Sequence, residues 1–251
     1  MHRFYLPPEQ CQQHTLVLTD GEAHHALHVL RLRRGERVTV LDGQGREFLC
    51  DVQECQRAQV SLRVEEQRSV PPLPYHITLL QAVPKGKLID SIIQKATELG
   101  AYRVVPLLSE RVVTQLDERE AAHKAEKWQG VAIEAIKQCG SAWLPRVEPP
   151  LTLQQCLARK EPFDLPLIAS LQNDTKHPRD YFRAFEQAHG RKPQTLAVWI
   201  GPEGDFTPAE VQAILSAGSH PITLGRLVLR TETAAVYCLS VLNYELQSPA
   251  A

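Results

Sequence analysis

An α/β fold with a smaller β domain ahead of it follows from three features of this 251-residue sequence. From Tyr75 onward, short apolar runs alternate with segments of helical period. One run, Thr195 to Ile200, is apolar almost throughout, as a central strand covered on both faces must be. Before Tyr75, apolar and polar residues alternate in short runs broken by Gly and Asp, which predicts a small β-barrel-like domain. With 43% hydrophobic and 23% charged residues, the chain is long enough to bury real cores.

In the first part, strands are predicted at Thr15 to Leu18, Arg37 to Leu41, Glu47 to Val52 and Gln59 to Val64. Asp42-Gly43 and Gly45 mark a hairpin turn between the second and third. One short helix is expected from Gly21 to Leu32. Ser69-Val70-Pro71-Pro72-Leu73-Pro74 then breaks the pattern, because proline stiffens the chain and removes backbone donors. The division read from this is a domain over 1–70, a linker over 71–74 and a second domain over 75–251.

The second domain begins with a strand at His76 to Leu80 and a helix from about Lys87 to Leu99, stopped by Gly100. A strand at Arg103 to Leu107 precedes a long helix from Glu118 to Cys139, ended by Gly140. Leu165 to Leu171 reads as a strand and Tyr181 to Ala188 as a helix. After the Thr195 strand, Thr207-Pro208-Ala209-Glu210 forms a capping box with Pro at the first helical position, opening a helix that ends near Gly218. Pro221 to Leu224 is the last strand and Thr233 to Leu246 the last helix. Strands and helices in this alternation form a largely parallel sheet, and ligands of such sheets bind beyond the carboxyl ends of the strands.

Charge excludes little. Lys plus Arg (28) nearly cancels Asp plus Glu (29), yet a local basic patch binds RNA whatever the total. None of the six cysteines forms a CxxC pair, and a chain of this length needs no disulfide staples, so a reducing cytoplasm is the expected setting. No stretch approaches the roughly 20 apolar residues of a membrane span, and the start lacks an apolar segment of signal-peptide length.

Two C-terminal segments carry the chemistry. Ile200-Gly201-Pro202-Glu203-Gly204 is a tight turn after a buried strand, where glycine lets a ligand approach the backbone. It has the spacing of neither a P-loop nor a dinucleotide fingerprint. Leu229-Arg230-Thr231-Glu232-Thr233-Ala234 sets a cation, two hydroxyls and a carboxylate at the mouth of an otherwise apolar helix. Thr231 or Thr233 can serve as its cap, with Glu232 at its positive end. Arg230 has a structural alternative, a salt bridge with Glu203 or Glu232. For phosphate, the best candidates are Lys85-Gly86-Lys87 and Arg31-Leu32-Arg33-Arg34-Gly35-Glu36-Arg37, four arginines in seven residues. Arg111, Lys124, Lys127 and Lys137 read as the wet face of a helix or its surroundings. His24 and His28 stand at i,i+4, but nothing completes a familiar zinc pattern and no metal is expected. No nucleophile elbow is present.

Over nearly its whole length the chain resembles the bacterial 16S rRNA (uracil-N3)-methyltransferases of the SPOUT class. The resemblance starts at Arg3-Phe4-Tyr5 and His24-His25 with Val29-Leu30-Arg31, and runs through Lys85-Gly86-Lys87 and Gln94 to Gly100. It continues in Pro106 to Arg111 and in Trp128 with Ala132 to Ala135, and is most specific in Ile200 to Gly204 and Leu229 to Ala234. It implies a PUA-like RNA-binding β-barrel followed by an α/β domain tied in a deep trefoil knot, which periodicity does not reveal and general topology rules disfavour. It further implies an S-adenosylmethionine site in the knot, built here from Leu171, Ile200, Gly201, Glu203, Gly204, Leu224, Gly225, Leu229, Arg230, Thr231 and Ala234. The implied RNA contacts are Arg3, Arg31, Arg33, Arg34, Lys85, Lys87 and Arg111. The implied partners are 16S rRNA or the small-subunit particle and a second copy of the chain.

The chemistry so implied aligns uracil N3 with an activated methyl group. Arg230 is the candidate for assisting the developing uracil oxyanion or positioning phosphate, and Glu203 for orienting the cofactor or accepting a proton. The chain departs from the family pattern in three places: Asp205 stands where a second glycine is usual, Lys137 and Ser141 stand where Glu and Arg are usual after the long helix, and Arg226-Leu227-Val228 stands where Pro-Arg-Ile is usual. The changes at 137, 141 and 205 motivate one alternative, an RNA-binding assembly protein with impaired catalysis; a second is a SPOUT enzyme with another rRNA or tRNA target.

Overall fold

The computed structural model describes residues 1–111, 117–171 and 175–247. The chain divides into two compact units, Met1–Pro72 with Ile133–Leu144, and Leu73–Ala132 with Pro145–Ala251.

The first unit contains β1 (His2–Tyr5), β2 (Thr15–Leu18), α1 (Asp20–His24), β3 (Arg37–Leu41), β4 (Arg46–Cys55) and β5 (Val60–Ser69). The strands form one sheet in the order β1-β3-β4-β5-β2. β1 runs parallel to β3 and the other pairs are antiparallel. Alternation turns Phe4, Leu16, Leu18, Val38, Val40, Phe48 and Leu62 into one shared core. β1 and β2 are the two edges of the hydrogen-bonded path, so the part expected to be barrel-like is described by one five-stranded sheet. The alternating pattern missed β1, whose pairing to β3 is non-local. At the β3–β4 turn, Asp42 accepts hydrogen bonds from the N–H groups of Gln44 and Arg46. Gly43 and Gly45 both take positive φ there, and a Cβ on Gly45 would lie 2.5 Å from the Trp143 ring.

The helix expected from Gly21 to Leu32 is shorter. After α1 the chain makes a π turn over His25–Val29, with Leu30 N–H reaching back to His25 O. Arg31 at φ 55° then ends it.

The second unit contains β6 (His76–Ala82), α2 (Leu88–Glu98), β7 (Arg103–Leu108), α3 (Glu118–Cys139), β8 (Arg146–Val147), β9 (Leu151–Thr152) and α4 (Leu153–Ala158). It continues with β10 (Leu165–Ala169), α5 (Pro178–His189), β11 (Thr195–Ile200), α6 (Pro208–Ser216), β12 (His220–Ile222) and α7 (Thr231–Gln247). The last turns of α3 belong to the first unit. All pairs are parallel, in the order β12-β10-β11-β6-β7-β8, with β9 also on β7. Leu80, Val105, Ile168, Ala197 and Trp199 face Phe206, Val211 and Ile214 in the core on one side. On the other, α7 packs on α2, β6 and β11.

The capping box of α6 is present, with Thr207 Oγ1 accepting from Glu210 N–H and Glu210 accepting from Thr207 N–H. A second box, Thr152 with Gln155, opens α4, which the sequence pattern did not predict. Helix α5 starts three residues before the expected Tyr181, because Pro178 sits in its first turn behind a His177 cap. Strand β10 ends at Ala169, leaving Leu171 in the following loop, and β12 begins at His220 and ends at Ile222, before Leu224. All six cysteines are free, and no helix among the described residues is long and apolar enough to cross a membrane.

Lys137, part of one of the three departures, has a structural use within the first unit. Its side chain is 6% exposed, and its ammonium lies 2.8 Å from Glu22 and 2.7 Å from Glu134. Burial opposes the Lys137 charge, yet hydrogen bonds with Glu134 and Glu22 hold its pKa above the ordinary value. Burial also pushes the Glu22 carboxyl upward, and Lys137 pulls it back only in part. Removing the cation strands Glu22, so Lys137→Met should cost about 2 kcal/mol at pH 7 in denaturant unfolding. A carboxyl whose folded pKa is raised is penalised above its unfolded pKa and spared below it. The loss should therefore shrink as pH falls toward about 4, the ordinary glutamate range. A loss that is the same at both pH values would refute the pairing.

Candidate functional site

The parallel strands of the second unit share one carboxyl end, and the loops after β10, β11 and β12 meet there around a cavity of about 750 Å³. Leu171 contributes from the first loop. Ile200, Gly201 and Glu203 contribute from the second, and Leu224, Gly225, Leu229 and Arg230 from the third. Thr231 and Ala234, on the first turn of α7, complete the wall. Gly204 lies outside the lining and faces Arg111, whose Cδ would be 3.4 Å from a Cβ there.

The turn after β11 is shaped by its downstream neighbour Asp205. That residue takes φ 61°, a left-handed conformation that suits glycine, and aspartate tolerates it better than most residues. Its Oδ1 accepts from Phe206 N–H at 2.8 Å and would lie 2.7 Å from a Cβ on Gly201. Asp205 thus holds its left-handed conformation while bonding its own loop, and the residue lines the cavity. Burial pushes its carboxyl upward against the pull of the Phe206 N–H and the Arg111 charge.

The loop after β12 is organised by Thr223, whose Oγ1 accepts from Gly225 N–H at 3.1 Å. Gly225 takes φ 106° with open space around its Cα, a place where backbone can approach a ligand. Leu227 and Val228 are 79% and 77% exposed, far more than isolated apolar residues need be. Arg230 is exposed and makes no salt bridge among the described residues, so neither Glu203 nor Glu232 is its partner. Its carbonyl accepts from Ala234 N–H, which starts α7 two residues earlier than expected. Thr231 is no side-chain cap: its hydroxyl donates to Gly201 O at 2.7 Å and accepts from Gln81 Nε2 at 3.0 Å. Glu203 accepts from Lys85 N–H at 2.9 Å, joining the β6–α2 loop to the cavity rim.

The basic residues split into groups. Lys85, Lys87 and Arg111 are exposed in the second unit, and Arg111 Nη1 reaches Asp205 O at 3.5 Å. Arg31, Arg33 and Arg34 are exposed together on the turn before β3 in the first unit. Arg3 is partly committed elsewhere, its Nη1 donating to the carbonyls of Lys137 and Gln138. The His24 and His28 rings lie 4.9 Å apart, and no third ligand joins them among the described residues. Ser141, which departs from the expected pattern together with Lys137, closes a small turn with Trp143. Sequence reasoning missed Thr223 as a lining residue, because it lies one residue ahead of the Leu224 to Ala234 segment that the pattern singled out.

Two sequence families cover this architecture. An RNA methyltransferase domain matches residues 71–243, and an RNA methyltransferase PUA domain matches residues 18–65. The two matches together define a PUA-bearing RNA methyltransferase. Ribosomal RNA small subunit methyltransferase E of Bacillus subtilis is 33% identical, over 93% of this chain and 91% of that protein. The Neisseria gonorrhoeae protein of the same name, solved bound to S-adenosyl methionine, is 30% identical with a TM-score of 0.85, covering 97% of each chain. A methyltransferase from Legionella pneumophila, solved with bound cofactor SAM, is 34% identical with a TM-score of 0.87, covering 96% of each chain. The chain belongs to the ribosomal RNA small subunit methyltransferase E family.

Proposed function

We propose that the cavity beyond β10, β11 and β12 holds S-adenosylmethionine and that the protein methylates N3 of a uridine in 16S rRNA of the small ribosomal subunit. The observation that carries this reading is the convergence of three loops, two of them glycine-bearing, on one cavity whose rim holds Arg230, an arginine with no salt bridge among the described residues. About 750 Å³ lies within the range of small-molecule sites. The residues present fit the cofactor: Leu171, Ile200, Leu224 and Leu229 offer apolar surface, while Gly201 and Gly225 offer backbone without side chains.

When bound, the cofactor supplies an activated methyl group. The chain has the remaining tasks. Arg230 offers positive charge to the oxyanion that develops on uracil as the N3 proton leaves. Glu203, anchored on Lys85 N–H, keeps one carboxylate oxygen for orienting the cofactor or taking that proton. The cavity is recessed beyond a sheet edge, so the target base must leave its stack to enter. The exposed Arg31, Arg33 and Arg34, with Lys85, Lys87 and Arg111, supply phosphate contacts, and Arg3 adds a weaker one.

A trefoil knot is supported by strand order: β12 follows β11 in sequence yet lies beyond β10, and α7 returns to β6 and β11. A homodimer is supported by the exposure of Leu227, Val228 and Tyr244. Free cysteines and an RNA substrate fit a cytoplasmic setting.

The test combines calorimetry with S-adenosylmethionine and mass mapping of 16S rRNA from a deletion strain before and after adding purified protein. We expect binding, one missing methyl group in the deletion RNA, and its restoration. An unchanged modification profile together with no cofactor binding would sink the enzyme reading. Binding without restoration would favour the impaired assembly protein.

A further inference from the structure

Strand β6 lies between β11 and β7, and its neighbours in sequence Ile77, Leu79, Leu80 and Ala82 are buried apolar residues. Gln81 interrupts them and is itself 0% exposed. Its Nε2 donates to Ala82 O at 2.8 Å and to Thr231 Oγ1 at 3.0 Å. The amide orientation follows from Ala82 O, which only accepts and therefore faces the nitrogen. Gln81 Oε1 is left without a hydrogen-bond partner among the described residues.

Because Gln81 donates to the Thr231 oxygen, the single Thr231 proton is directed onward, to Gly201 O at 2.7 Å. The residue after Gly201 is Pro202, which has no N–H. The carbonyl is thus the only polar atom by which that peptide plane can be held. Gly201, Pro202 and Glu203 all line the cavity. A buried amide oxygen with no partner is costly, and such a cost inside an apolar strand belongs at a functional position.

We propose that Gln81 is a positioning residue for the cofactor loop, acting through Thr231 to hold the Gly201 carbonyl and set the turn that S-adenosylmethionine meets. This role rests on the reading of the cavity as the cofactor site. Glutamine is suited to it because one side-chain nitrogen bridges strand β6 and helix α7, whereas methionine fills the same space without the donor.

The test measures S-adenosylmethionine affinity by calorimetry, and melting temperature, for the full-length wild type, Gln81→Met, Thr231→Val, their double variant and Thr231→Ser. Gln81→Met should weaken binding about tenfold while the melting temperature holds or rises, since the orphan oxygen is gone. Thr231→Val should lose a similar factor, the double variant no more than either single one, and Thr231→Ser should bind as wild type. Losses that add in the double variant, or wild-type affinity in Gln81→Met, would overturn the relay. A Gln81→Met protein whose affinity falls only together with its melting temperature would reduce Gln81 to a structural residue. A wild type that fails to bind overturns the cavity reading and this role with it; normal wild-type binding isolates the failure to Gln81.

Discussion

Replacing Gly201 by valine should weaken S-adenosylmethionine binding by about a hundredfold or more while the protein stays folded. The obstruction comes from the loop itself. A Cβ at 201 would stand 2.7 Å from Asp205 Oδ1 and 3.1 Å from both Asp205 Cα and Phe206 N. The carboxylate can swing, but the two backbone atoms cannot yield without moving the turn that lines the cavity. Phe206 is buried in the core of one sheet face and α6 starts two residues later, so the turn is clamped on its far side. Relief must come from the near side, where Gly201, Pro202 and Glu203 form the wall. Valine's branched side chain worsens the conflict over alanine. Calorimetry would read the affinity and circular dichroism the fold; a folded variant with wild-type affinity would remove this loop from the site.

The Asp205 contact also shows where sequence reasoning stopped. Glycine at 201 and 204 was legible as a close-approach turn, because the residue type itself announces conformational freedom. That Gly201 is required by its own downstream neighbour was not legible, since it depends on Asp205 adopting φ 61°. The capping box at Thr207 and Glu210 was readable for the opposite reason: both partners lie within one helical turn, and local chemistry decides the outcome. The same holds for α3, whose two ends fall as the apolar period and Gly140 predict.

What escaped was non-local. Thr231 looked like a helix cap because a hydroxyl at a helix mouth usually is one, yet its partners are Gly201 and Gln81, 30 and 150 residues away. Gln81 carried no signal at all within an apolar run. Strand β1 is four residues long and pairs with residues 36 positions on, so alternation alone could not reveal it. The arginine cluster was found by composition, but composition could not separate exposed Arg31, Arg33 and Arg34 from Arg3, which is tied to the carbonyls of Lys137 and Gln138.

Arg230→Ala should lower methyl-transfer turnover by about a hundredfold to a thousandfold, the cost of losing one donor to a developing oxyanion. Cofactor affinity should change by only about threefold, because the side chain acts on the substrate's charge rather than on the ground-state cofactor. The position is unusually clean for such a test. Its backbone is held independently, with the carbonyl accepting from Ala234 N–H, so truncation leaves the start of α7 in place. The side chain is exposed and makes no salt bridge among the described residues, so no carboxylate is stranded by its removal. Had Arg230 served as an ion-pair anchor for Glu203 or Glu232, its loss would register in stability first and in turnover only as a consequence. Arg230→Lys separates charge from geometry: an ammonium keeps the sign but loses the planar fork, and should recover part of the rate. Single-turnover kinetics at saturating cofactor would measure the step directly. A wild-type rate in Arg230→Ala, with affinity intact, would remove the arginine from the chemistry and leave phosphate positioning, readable as a weaker RNA affinity with a shallower salt dependence.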